Sequence, residues 1–207
     1  MKLYYAPGAC SIGIHVLLEE IGKPYEREKI SFADGAQKSP AYLALNPKGK
    51  VPLLVLDDGG TLTEFPAIAL WLALTNSDKN LLPVDPEGQA RTFEAMDYVV
   101  ATVHMQGFTR MFRPGNFAPS EADHDAVKAR GREIFTTGLD LMAERLGERP
   151  YLGGDVLSIA DAALFYVEFW ATRMGIDLPP ACAAHFARMT ARPAVRRVFE
   201  AEGIKAG

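Results

Sequence analysis

Cysteine is nearly absent from this 207-residue chain: Cys10 and Cys182 are the only two, and they lie far apart. One bridge between them is the most the chain could form. A multi-disulfide framework is excluded, and two lone thiols in a chain this size read as a reducing compartment. No run approaches the roughly 18 consecutive apolar residues of a membrane span. The opening Met1-Lys2-Leu3-Tyr4-Tyr5-Ala6-Pro7 is too poor in apolar residues for a signal peptide. The expected location is therefore the cytoplasm, with no membrane partner. Positive charge is not in excess either: 22 Lys and Arg face 26 Asp and Glu, a net −4. That balance gives no reason to expect a nucleic-acid partner. Of the four histidines, His15, His124 and His185 show no ligand spacing, and no metal is expected.

What is present is ordinary globular material, 48% hydrophobic and 23% charged, with no repeat or low-complexity segment. The length suits one large or two small domains. Leu3 to Ala6 is β-prone and stopped by Pro7-Gly8; Ile12, Val16, Leu17 and Ile21 then fall at helical spacing up to Gly22, with Glu19 and Glu20 outward. A strand over 25–30, a loop over 31–39 and a short helix over 40–45 follow. Val51 to Leu56 reads as a buried strand. Asp57-Asp58-Gly59-Gly60 turns it into Thr61-Leu62-Thr63, and a helix fits Pro66 to Leu74. This is a small mixed sheet with helices packed on it.

Residues 78–86 read as a linker between a domain at 1–77 and a second at 87–207. Beyond the linker only helical patterns remain, at 87–112, 121–147, 158–175, 180–191 and 193–202. The fold class is thus an α/β N-terminal domain followed by an all-α C-terminal domain. Ser158 and Asp161 form a capping box at the head of a helix apolar on nearly every face except Glu168, and this structural role outweighs a catalytic one.

Three local features carry chemistry. Cys10-Ser11 follows the first strand at a helix start, where backbone amides and the helix dipole favour a thiolate, on Cys10 or on a ligand. A small core cysteine is the plainer alternative. Val51-Pro52 opens a strand with a residue that cannot donate to the ladder; a cis bond would leave the Val51 backbone free to pair with a peptide-like ligand. Glu64 stands at the entry to the third helix, where its carboxylate caps that helix or binds a ligand ammonium.

With those features in place, the chain resembles the bacterial beta-class glutathione transferases along nearly its whole length. Tyr4 to Ser11 (YYAPGACS), Asn46 to Pro52 (NPKGKVP), Thr63 to Ile68 (TEFPAI) and Ser158 to Asp161 (SIAD) match family motifs in order and spacing. The resemblance implies a thioredoxin-like domain, a cis Val51-Pro52 bond, a homodimer, and glutathione as co-substrate bound between the two domains. It assigns Cys10 to the glutathione sulfur with Ser11 beside it, and Val51 to backbone pairing with the cysteinyl part. Glu64 takes the γ-glutamyl end, and Lys50, Pro52, Phe65 and Asp97 complete the glutathione residues.

There are two departures from the family pattern. The residue after Glu64 is usually small, commonly Ser, but here it is Phe65 followed by Pro66. The hydroxyl is lost, which could cost about 1.5–3 kcal/mol of affinity, and the Phe65 ring is expected to crowd the pocket. The family histidine falls on His104 counting forward from Asp97, but on Met105 counting back from Gly107-Phe108, because the chain carries one extra residue between. Seven-residue spacing favours His104. Tyr5, Phe108, Phe112, Arg113, Tyr166 and Trp170 are candidates to border a site for a hydrophobic small molecule, with core packing as their default role. The implied activity is glutathione conjugation to hydrophobic electrophiles, or glutathione-dependent peroxide or thiol–disulfide chemistry, with His104 assisting. The alternative is a non-catalytic protein of the same fold that binds hydrophobic ligands or a protein partner.

Overall fold

Pro7 and Gly8 end β1 (Lys2–Tyr5) after four residues, and this short strand sets the width of the sheet. The computed structural model describes residues 1–205. β2 (Glu26–Lys29) pairs parallel to β1, β3 (Leu53–Val55) antiparallel on its other side, and β4 (Thr61–Thr63) antiparallel to β3. The register sets Lys2 opposite Glu26 and Val55, and Leu53 opposite Thr63. β2 reads Glu-Arg-Glu-Lys and is exposed throughout, the charged edge that discourages pairing with another sheet. β2 and β3 are each shorter than the sequence pattern predicts, while β4 has the expected bounds. β2 stops at Lys29, with Ile30 N making one last bond to Tyr5 O at 2.7 Å, and Pro52 brings no N–H to the ladder of β3.

Helix α1 (Ser11–Ile21) is buried along nearly its whole length, with Ile12, Ile14, Val16 and Leu17 fully covered. Gly22 ends it at φ 74°, donating its N–H to Leu18 O at 3.0 Å, a left-handed cap that suits glycine. α2 (Pro40–Leu45) begins where Ser39 accepts from Tyr42 N, and α3 (Phe65–Leu74) follows β4.

The described residues divide into two compact units: Met1–Leu82 with the segment from Ala187 onward, and Pro83–Phe186. The C-terminal helix α9 (Pro193–Glu202), which the sequence pattern groups with the helical domain, packs on α1 instead. Its Val195, Val198 and Phe199 are buried. Arg192, just before α9, holds the Glu20 carboxylate with two donors at 2.5 and 2.9 Å, and Arg197 on α9 holds Glu19 at 2.6 Å. Glu19 and Glu20, expected to face solvent, are consumed in this contact.

In the second unit, the single helix expected over 87–112 is three segments. α4 (Pro86–Asp97) starts at Asp85, whose carboxylate accepts from Gly88 N at 2.7 Å; a π-helix spans Tyr98–Phe108; α5 (Thr109–Phe112) closes the run. α6 (His124–Leu146) lies against the π-helix so closely that small residues are required. A Cβ on Gly107 would stand 2.9 Å from Phe135 N, and one on Gly138 2.5 Å from Val103 Cγ2.

α7 (Ile159–Arg173) is buried from Ile159 to Ala171. Asp161 accepts from Ser158 N and Leu152 N, each at 2.7 Å, so the expected cap also pins the preceding loop. Glu168, the acid midway along this apolar helix, meets His185 of α8 (Pro180–Ala191) at 2.8 Å, with Asp161 of the first turn at 3.3 Å from the other ring nitrogen. All three side chains are fully buried. Burial works against charge on His185, but Glu168 and Asp161 outweigh it and hold the ring at about 9. Burial likewise pushes the Glu168 carboxyl up to about 7 against the pull of His185.

Candidate functional site

Between β1 and α1 the chain makes a tight turn in which Ala9 N donates to Ala6 O at 3.0 Å and Ile12 N to Ala9 O at 2.9 Å. The Ser11 hydroxyl is fully buried; it donates to Ala6 O and accepts from Ala6 N, both at 3.2 Å. Ser11, a catalytic candidate by sequence, is therefore committed to holding this turn. Gly8 sits at φ 69°, and its N–H donates to the Glu202 carboxylate at 2.8 Å. The other oxygen of Glu202 meets His15 Nδ1 at 2.7 Å. The last helix thus clamps the turn that carries Cys10.

Sequence reasoning passes over this clamp, although a signal exists. Ala194, Val195, Val198 and Phe199 form an apolar stripe, and Glu202 continues it by one further turn. A charge on a buried stripe marks a partnered carboxylate.

Cys10 is half-buried at the head of α1, and its Sγ–H donates to Val51 O at 3.6 Å. Burial pushes the thiol up to about 12, and the backbone amides of Ser11 and Cys10 pull it back by less. The direction is opposite to the lowering that a helix terminus alone would give. Desolvation outweighs the helix terminus, so Cys10 stands as a neutral donor.

Val51 belongs to a loop braced from beneath. Tyr42 OH and Asn46 Nδ2 donate to Lys50 O at 2.6 and 2.7 Å, and Val51-Pro52 is cis. The Lys50 side chain is exposed. Glu64 adopts φ 69° and ψ 128°, a conformation L-residues rarely hold, and makes no cap to α3. Its exposed carboxylate takes Lys48 Nζ at 2.7 Å, and Lys48 is steadied by Thr63 Oγ1 at 2.8 Å. The Phe65 ring is 4% exposed, turned into the core of its unit. It does not crowd a surface pocket, because the apolar interior draws it inward. Tyr5 is likewise buried, with its hydroxyl 3.5 Å from Ala201 O and its ring against His15. It is a packing residue under α9 and leaves the substrate-pocket group.

The remaining candidates for that group gather in the second unit. His104 Nδ1 is 3.3 Å from Tyr166 OH, and its ring stands edge-on to Trp170 at 4.7 Å. Phe108 stacks on Trp170 at 4.0 Å and on Phe112 at 5.5 Å; Arg113 Cζ lies 5.9 Å from the Phe112 ring. Met105 is exposed. The π-helix explains the ambiguous count: Thr109 N donates to His104 O five residues back, so the wide turn absorbs the extra residue. His104 enters the aromatic cluster and Met105 turns away from it. Asp97 is exposed at the end of α4. Among the described residues no group of His, Cys, Asp and Glu could hold a metal ion, and no helix is long and apolar enough to cross a membrane.

A thioredoxin-like sheet with a cysteine at the first helix start, hydrogen-bonded to the residue before a cis-proline, defines a protein that handles thiols. The all-helical second unit narrows that class, and the comparisons complete it. The glutathione S-transferase N-terminal domain model matches residues 8–75 and the C-terminal domain model residues 125–201. Glutathione S-transferase GstA of Escherichia coli O157:H7 is 37% identical, over 99% of this chain and 100% of that one. A glutathione transferase homolog from sulfitobacter, solved with bound glutathione, superposes with a TM-score of 0.91 at 32% identity, covering 99% and 98% of the two chains. The bacterial beta class enzyme of Sphingomonas chungbukensis does so at 0.87 and 33%, covering 99% and 100%. The chain belongs to the glutathione S-transferase family.

Proposed function

We propose that this protein is a glutathione transferase that joins glutathione to hydrophobic electrophiles, acting as a cytoplasmic homodimer. The observation that carries the reading is the Cys10 Sγ to Val51 O contact at 3.6 Å, which brings a protonated thiol and a peptide-pairing backbone to one point. Bound glutathione supplies a nucleophilic sulfur. Cys10, holding its own proton, donates a hydrogen bond to that sulfur and favours its thiolate form. The Val51 backbone pairs with the cysteinyl portion, beside Lys50 and Pro52. Glu64 accepts the γ-glutamyl ammonium, for which Lys48 must yield. The Lys48–Glu64 pair is half-exposed on both sides, so its displacement costs about 1 kcal/mol or less.

The buried ring of Phe65 removes the steric objection to the γ-glutamyl end. In the second unit, Phe108, Phe112 and Trp170 offer the apolar surface for the electrophile, and His104, fixed by Tyr166, provides a polar group beside it. Asp97 remains assigned to glutathione by resemblance. Peroxide reduction and thiol–disulfide exchange draw on the same activated sulfur. Free cysteines at 10 and 182 support the reducing setting. Calorimetric titration with glutathione tests the reading. Saturable binding is expected, and no heat of binding at millimolar glutathione would sink it.

A further inference from the structure

Trp170, Phe108 and Phe112 form a column of stacked rings, at 4.0 Å and 24° for the first pair and 5.5 Å and 19° for the second. The column runs from inside to outside: Trp170 is 7% exposed, Phe112 65%. A ring that is two-thirds exposed at the end of a stack has a face to which one more flat ring can add. The charge beside that face is positive. Arg113 Cζ lies over the Phe112 ring, 5.9 Å from its centroid, so a ring that adds there takes the place of the guanidinium, which moves to the edge of the stack; Arg110 Cζ lies 4.2 Å over the half-exposed Phe117 ring. Arg110 is steadied by Gln106 O at 2.8 Å. No carboxylate among the described residues pairs with either arginine, although the chain as a whole carries −4. An aromatic surface with two uncompensated guanidinium groups at its open end fits a flat aromatic acid better than a neutral arene.

We propose, resting on the reading that this cluster receives the co-substrate, that it selects planar aromatic carboxylates: the ring stacks on Phe112 and the carboxylate meets Arg113. In the corresponding reaction of a chloronitrobenzoate, the sulfur of glutathione forms a C–S bond to the carbon bearing chlorine. The C–Cl bond breaks, chloride leaves with the electron pair, and the thiol proton passes to solvent.

Binding of naphthoate and of its neutral amide, naphthamide, is measured by calorimetry without glutathione. The acid is expected to bind about three- to fivefold more tightly, the range of a surface ion pair added to equal stacking. Arg113→Gln should abolish that preference, Arg113→Lys should keep part of it, and Phe112→Ala should weaken both compounds. Conjugation of chloronitrobenzoate against its amide should show the same preference and the same loss. Equal binding of acid and amide, a preference that survives Arg113→Gln, or no binding of either compound would overturn the proposal. A preference lost in Arg113→Gln together with no binding of glutathione would instead overturn the transferase reading and leave the aromatic-acid site standing.

Discussion

At the scale of single residues, Cys10 is decided by a contest between burial and a helix terminus, and burial wins, leaving the thiol near 12. Its contribution is then a donated proton. Cys10→Ala should lower kcat/KM for conjugation about tenfold or more, the worth of one hydrogen bond to a charged group, while Cys10→Ser retains most of it. Steady-state rates with a model electrophile check this, and conjugation untouched by Cys10→Ala would refute the role. Glu64 illustrates the opposite balance, a carboxylate kept on a backbone that would prefer glycine. Glu64→Gly should leave the Tm unchanged or raised, since relief of about 1–2 kcal/mol of left-handed strain offsets the entropy of glycine. The same change should weaken glutathione binding at least tenfold by calorimetry. Residue types at Cys10, Val51 and Glu64 were legible in the sequence because each stands next to a local break: a Pro-Gly turn, a proline, a helix entry. The burial of Phe65 and Tyr5 was not, because which way a ring turns depends on neighbours distant in the chain.

At the scale of elements, the order of strands and helices was readable from periodicity and from Gly and Pro punctuation. The π-helix was not, since a widened turn changes the period without leaving a break. Its packing against α6 depends on missing side chains, and Gly138→Ala should cost about 1–3 kcal/mol by crowding Val103. Val103→Ala should cost less in the Gly138→Ala background than alone, a coupling that denaturant melts of the four proteins would reveal. The α7–α8 contact sets a pH dependence. His185 is held at about 9 in the native fold against about 6.5 unfolded, so native protein keeps the proton longer. That stabilisation is complete below pH 6.5 and is lost as pH rises through 9; Glu168, also raised, acts in the same direction at lower pH. Unfolding free energy should fall across this range by up to about 1.4 kcal/mol per pH unit. In His185→Phe the fall should flatten, and a wild-type stability that rises between pH 6.5 and 9 would contradict the assignment.

At the scale of the whole molecule, the sequence shows where strand signals stop, and the described residues divide after Leu82. It does not show that the chain's last helix returns to the first unit, because amphipathic helices look alike whatever they cover. That return matters for function: Glu202, near the end of the described chain, grips Gly8 two residues before Cys10. The most direct measurement of the whole scheme follows thiolate ultraviolet absorbance against pH, with and without glutathione, in wild type and Cys10→Ala. The free protein should show no thiolate through neutral pH. Its glutathione complex should show one that forms below the ordinary thiol value of about 8.5 and moves up by about one to two units in Cys10→Ala. A thiolate in the ligand-free protein at neutral pH that disappears in Cys10→Ala would contradict it.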